Sequence, residues 1–278
     1  TDTDLTDQNT FRFDGELGFA LTRTRTLLLL AGYRDRDDID DRKDDEVKSL
    51  IGIGLQSDVA PDLQLRAVLR YERDEVTSSA SEGREVTLEE APTIDLSLVK
   101  DLQNGNLSFA LRSDLDNNGV RTTAEVGRSL ELKYGEMDFA LGATWQDDGG
   151  VTPVGSLNWQ REYRTRLLSV SFNSAVRTDD DGDEVLRNRF RFQFDQELTS
   201  MDGLRLEATA SSSDDLDGGS SNFRRQAGAS ISWFRNINRD LSFVAGYRHA
   251  FSDDGEDDGV ITENQVFARI DKRFSLRP

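Results

Sequence analysis

Along most of the chain the apolar residues recur at every second position, the period of a β-strand with one apolar and one polar face. Phe11, Phe13, Leu17, Phe19 and Leu21 share one parity, while Arg12, Asp14, Glu16 and Thr22 take the other. Beyond a tight connection at Thr22–Arg25, Leu27, Leu29, Ala31 and Tyr33 resume the pattern. Val47, Ile51, Ile53 and Leu55 follow, then a turn at Asp58–Asp62, then Leu63, Leu65, Ala67, Leu69 and Tyr71. The same alternation predicts strands over 92–100, 106–113, 121–134, 136–146, 152–163, 166–177, 185–196, 203–211, 223–235, 240–251 and 262–276. The total is about fifteen strands, and helical spacing is nearly absent.

The connections alternate in kind. Short ones fall at TRTR, DVAPD, KDLQNG, YGE, YRTR, LTSMDG and NINRD. Longer, acidic ones fall at 34–46, 73–91, 116–119, 146–150, 178–184, 211–222 and 252–259. Short turns at one rim and longer loops at the other describe an up-and-down meander. The 73–91 stretch is the longest without alternation, and it either folds inward as a constriction or projects as an acidic loop.

A soluble sheet would bury its apolar parity under a second layer, and no amphipathic helix is available for that work. Closing the sheet removes its edges, and turning the apolar parity towards lipid accounts for the charge on the opposite parity. Segments of about 10 to 13 residues also suit a tilted transmembrane strand better than a strand of a soluble protein. Aromatic residues favour membrane interfaces. Tyr33, Tyr71, Trp145 and Tyr247 lie at the strand ends next to the long acidic loops, Tyr134, Tyr163, Trp233 and Phe274 lie next to the short turns, and Trp159 alone is mid-strand. The runner-up fold is a soluble β-sandwich.

Composition narrows the function. Of 278 residues, 53 are Asp or Glu and 34 are Lys or Arg, a net charge of −19, which excludes nucleic acid as an expected partner because phosphate binding needs a basic face. Cysteine is absent, so disulfides and thiolate metal sites are excluded, and a single histidine, His249, leaves few imidazole mechanisms. The longest strictly apolar run, Leu27–Ala31, is far too short for a membrane helix. The opening TDTDLTDQNT has neither a basic nor an apolar leader region and reads as a processed or truncated chain.

In these dyad strands, alternating turns and loops, and aromatic belts, almost the whole sequence resembles the Gram-negative outer-membrane β-barrels, and more loosely the porin-like ones. The resemblance implies one domain over 1–278, a transmembrane antiparallel up-and-down barrel of 14 to 16 strands. In that family the last strand usually ends in an aromatic residue; here Phe274 and Leu276 are followed by Arg277 and Pro278. Even strand numbers are the rule in such barrels, so fifteen implies either a further strand before Thr1, the favoured reading, or a count of fourteen.

The parity facing the lumen holds Arg12, Asp14, Glu16, Arg66, Arg70, Glu72, Asp95, Arg112, Arg189, Arg191, Asp195, Arg205, Glu207, Arg248, Arg269 and Asp271. Two readings stand. Arg189, Arg191, Arg205 and Arg269 form a basic selectivity ladder opposite acidic residues, or all these charges form cross-strand ion pairs that stiffen the wall and select nothing. The acidic run Asp179, Asp181 and Asp183 offers oxygen ligands for a weakly held divalent ion, but it lacks calcium-loop spacing and reads more simply as a solvated loop. His249 beside Asp253 and Asp254 reads as an interface anchor. No nucleophile elbow, phosphate loop or histidine metal cluster occurs, so no cofactor and no enzymatic activity are expected.

The functional expectation is a channel for passive diffusion of small polar or charged solutes, with outer-membrane lipid and lipopolysaccharide as its surroundings. An export conduit and a surface-interaction barrel with acidic loops are the alternatives. Solute identity and oligomeric state are not legible.

Overall fold

The computed structural model describes residues 8–38, 45–80, 83–116, 119–146, 150–178, 184–216, 224–238, 240–253 and 259–272. They form fifteen strands: β1 (Gln8–Ala20), β2 (Arg25–Asp38), β3 (Asp45–Ala60), β4 (Leu63–Ala80), β5 (Gly83–Leu102), β6 (Gly105–Asp116), β7 (Gly119–Leu132), β8 (Gly135–Gln146), β9 (Val151–Tyr163), β10 (Arg166–Thr178), β11 (Glu184–Glu197), β12 (Asp202–Asp215), β13 (Arg224–Asn236), β14 (Leu241–Asp253) and β15 (Ile261–Lys272). Their order in the sheet is their order in sequence, the antiparallel up-and-down meander that the alternation predicts. β1 and β15 are the ends of that order, so the sheet is not closed. Parity agrees with this: in an antiparallel meander the first and fifteenth strands run the same way, whereas antiparallel closure takes an even number of strands in all.

The chain divides into two compact units, one of Thr1–Gly127 with Gly142–Pro153, the other of Arg128–Leu141 with Val154–Pro278. In the first unit the register of β1 to β5 places Phe13, Leu17, Tyr33, Leu29, Ile51, Ile53, Leu69 and Ile94 on one face. Many of these are well exposed, Ile51 at 66% and Leu69 at 56% among them. The other face carries Arg12, Glu16, Arg66, Arg70 and Glu72, but also Leu28, Leu30 and Leu50. Glycines there give the larger side chains room. A Cβ on Gly54 would come within 2.7 Å of Val68 Cγ2 and 2.8 Å of the Ala67 carbonyl, and one on Gly52 within 2.9 Å of Arg70 Cγ.

Sequence alternation and structure part company at 73–91. Read from sequence as an irregular loop, its residues 73–80 and 83–91 instead continue β4 and β5 as one ladder, paired from Leu63↔Lys100 to Ala80↔Gly83. The alternation is silent there because charge occupies both faces, Arg73 and Glu75 on one and Glu72 and Asp74 on the other. The strands persist because β-branched pairs such as Val76↔Thr87 and Thr77↔Val86 favour extended backbone. Cross-strand polar contacts add to them, with the Tyr71 hydroxyl donating to Glu90 at 2.7 Å and Arg73 lying 3.7 Å from the same carboxylate.

β6 departs from the regular pattern in a second way. Its ladder with β5 ends at Asp95↔Arg112. Beyond that point the Ser113 hydroxyl takes over from backbone pairing, accepting from the Ile94 amide at 2.6 Å and donating to the Ile94 carbonyl at 3.3 Å. The strand end then reaches β3 and β4 on their polar face: Arg70 donates to the Ser113 carbonyl at 2.9 Å, Lys48 donates to the Leu115 carbonyl, and the Leu115 amide donates to Glu72 at 3.3 Å.

The second unit is more regular. The register of β9 to β15 puts Trp159, Val170, Phe172, Phe190, Phe192, Ile231, Tyr247 and Val266 on an apolar face. The opposite face holds Ser171, Asn173, Arg189, Arg191, Thr209, Gln226, Arg248 and Gln265. The connection Gln103–Asn104, in the first unit, shows how the short turns are made: Gly105 closes it with φ of 118°, a backbone that L side chains rarely adopt.

Candidate functional site

The charged residues of the two polar faces are used differently. On the first unit they are almost all engaged. Arg66 makes a two-pronged pair with Glu16, at 2.6 and 3.3 Å, reaching from β4 to β1 across β2 and β3. Arg12 pairs with Asp14 at 2.5 Å. Arg70 and Glu72 lie in a buried cluster: the Glu72 carboxylate is 3.3 Å from Arg70 Nε and accepts from the Thr93 hydroxyl at 2.7 Å and from the Leu115 amide. Lys48 stands 3.4 Å from Asp74 beside them. Glu72 is only 2% exposed, and Asp74, Thr93 and Ser113 are also buried. Arg112 stays exposed, directly across the ladder from Asp95. This half of the sequence-derived set is therefore an ion-pair lattice with a partly covered face.

On the second unit the set splits. Arg205 is held by Asp195 through two contacts, 2.7 and 3.3 Å, and Gln193 donates to the same carboxylate at 2.8 Å. Arg269 pairs with Asp271 at 2.9 Å, and Ser230 donates to Glu207 at 3.5 Å. Arg189 and Arg191 make no ion pair or hydrogen bond among the described residues, and neither do Arg187 and Arg248. These four line one open cavity of about 740 Å³ on the polar face, together with Asn173, Ser211, Gln226 and Glu263. Of the four guanidiniums expected in a basic ladder, two are thus neutralised by neighbouring carboxylates and two are free. Arg187, which sequence reasoning passed over, shares their parity; its place on the strand next to an acidic loop hid it. Lys48 was missed because it borders a stretch read as a loop, and Asp74 because it lies inside one.

The aromatic residues expected to form the two belts lie on the apolar faces where the structure describes them, but not all near strand ends, and Phe234 and Phe267 fall on the polar parity. Tyr134 and Tyr163 stack with centroids 6.3 Å apart at the short-turn end, with Lys133 and Arg161 over their rings. Trp233 meets Phe243 edge-on at 6.0 Å, and Phe11 lies 6.2 Å from Tyr33. Trp145 ends β8. Tyr33, Tyr71 and Tyr247 fall within their strands, because β2, β4 and β14 run on past them. His249 shares the apolar parity and approaches Asn264 at 2.9 Å, an oxygen that also accepts from Tyr247. Phe274 and the acidic run Asp179, Asp181 and Asp183 lie outside the described residues. Among the described residues no group of three His, Cys, Asp or Glu side chains is placed to hold a metal ion.

No protein-family model matches the chain, and no curated protein sequence does. Solved structures do. The copper transporter OprC is similar at a TM-score of 0.58 with 11% identity, over 91% of this chain and 55% of that one. The siderophore receptor PirA from Pseudomonas aeruginosa is similar at 0.52 with 12% identity, over 89% of this chain and 57% of that one. The chain therefore spans little more than half the length of the structures it matches. At these identities the likeness is one of fold alone, that of a many-stranded antiparallel up-and-down sheet.

Proposed function

We propose that the protein forms the wall of an outer-membrane channel in a Gram-negative bacterium, through which small polar or charged solutes diffuse, and that it is not an enzyme. The observation that carries this reading is the division of each strand between two faces. One exposes large apolar side chains such as Ile51, Leu69 and Val266, the other presents hydrated charge, and only lipid on one side and water on the other suits both. Lipid acyl chains and lipopolysaccharide would be the neighbours of the apolar face. The test is single-channel conductance of the protein in its full cellular length, purified in detergent and checked for folding by heat-modifiable gel mobility, across a planar bilayer under a salt gradient. Stepwise conductance is expected; a folded, inserted protein that stays electrically silent overturns free diffusion.

A second reading, passage of a selected ligand by a gated route, is favoured by the way the end of β6 covers part of a polar face at Glu72 and Asp74. The similar folds of a copper transporter and a siderophore receptor keep company with that reading. Silence in the bilayer would point to it.

A further inference from the structure

We propose that the polar face of the second unit is an oxyanion-binding surface, in which Arg187, Arg189, Arg191 and Arg248 take small polyvalent phosphates or carboxylates. This rests on the reading of that face as the solvent side of a channel wall. The register carries the argument. Where the wall uses arginine for stiffening, a carboxylate sits directly across the ladder, as Asp195 does from Arg205. The four arginines of the cavity have no such neighbour. Arg187 lies between Ala175 and Ser213, Arg189 between Asn173 and Ser211, and Arg191 between Ser171 and Thr209. Arg248 lies between Ser230 and Gln265. Every flanking position is small or a neutral hydrogen-bonding group, so the guanidiniums keep their full charge and their donors for a ligand.

Their spacing suits one. Arg187, Arg189 and Arg191 occupy alternate positions of β11, all on the polar face and about 7 Å apart in succession. Arg248 enters the same cavity from β14. The guanidinium fork matches a carboxylate or phosphate edge with two parallel hydrogen bonds, and Asn173, Ser211 and Gln226 supply neutral donors beside it. Glu263 is the sole carboxylate among the residues lining this cavity, so four positive charges face one negative in a chain whose net charge is −19. A locally positive concavity on an otherwise acidic protein focuses anions that the rest of the molecule repels.

The test is isothermal titration of the folded protein in detergent with pyrophosphate and, separately, citrate, at about 20 mM salt where screening is weak. Both are expected to bind, and the tighter of the two identifies phosphate or carboxylate as the preferred oxyanion. Arg189→Gln should weaken binding about tenfold, and the quadruple Gln variant at 187, 189, 191 and 248 at least about a hundredfold. Arg161→Gln, which removes a charge from the opposite face, should leave it unchanged. Absence of binding by the wild type, retention of affinity in the folded single or quadruple variant, or equal loss in Arg161→Gln would overturn the proposal. Conductance separates the two readings: a silent protein that binds pyrophosphate loses the channel and keeps the site, and a conducting one that binds neither anion loses the site alone.

Discussion

At the scale of single residues, Glu72 shows how charge is carried on the polar face. A carboxylate 2% exposed is costly to bury unless it is paired and its lone pairs are occupied. Here Arg70, the Thr93 hydroxyl and the Leu115 amide do both. Lys48 stands beside Asp74 in the same cluster. Glu72→Gln keeps the shape and most of the hydrogen bonding but leaves Arg70 uncompensated, so we expect a loss of about 2–3 kcal/mol of folding stability. Guanidinium titration in phospholipid vesicles would measure it. Adding Arg70→Gln should recover part of the loss, since the uncompensated charge is then gone; a double variant less stable than the sum of the singles would refute the pairing. The sequence placed Arg70 and Glu72 on the polar parity. It could not place them in a buried cluster, because the atoms that cover them belong to Ser113 and Leu115, 43 residues further on for Arg70→Ser113 and for Leu115→Glu72.

At the scale of elements, the alternation of apolar and polar residues made the strand number, the order and the two faces legible, since a period of two survives wherever one face meets an apolar environment. It stopped being informative where both faces are charged. The upper parts of β4 and β5 were lost for that reason, and with them the position of Tyr71 well inside a strand. The bend of β6 was equally invisible, because it depends on one side-chain hydroxyl replacing a ladder bond. Ser113 meets both the amide and the carbonyl of Ile94, so Ser113→Ala should strand two backbone groups at a part-buried site. A cost of about 1–3 kcal/mol is expected, with faster amide exchange at Ile94 than at Leu96. Unchanged exchange at Ile94 would mean that the hydroxyl is incidental and that backbone packing alone turns the strand.

At the scale of the whole molecule, the decisive question is what the apolar faces meet. Exposed residues such as Leu141 at 71% and Val266 at 84% form rows along the strands, and no helix among the described residues is long and apolar enough to cross a membrane. Strands with this division must then meet lipid themselves if they are to meet it at all. Two adjacent residues of β13 separate the possibilities. Ile231 lies on the apolar face between Leu206 and Tyr247, while Ser230 lies on the polar face between Glu207 and Arg248. Under the membrane reading Ile231→Arg places a charge in hydrocarbon and should cost about 2–4 kcal/mol, with reduced insertion into vesicles. Ser230→Arg adds the same side chain where water and the Glu207 carboxylate are at hand, and should change stability by less than about 1 kcal/mol. A soluble sheet whose apolar face is merely exposed would accept arginine at Ile231 with little change and would stay in solution without detergent. Equal tolerance of the two substitutions would therefore remove lipid from the account, and with it the channel.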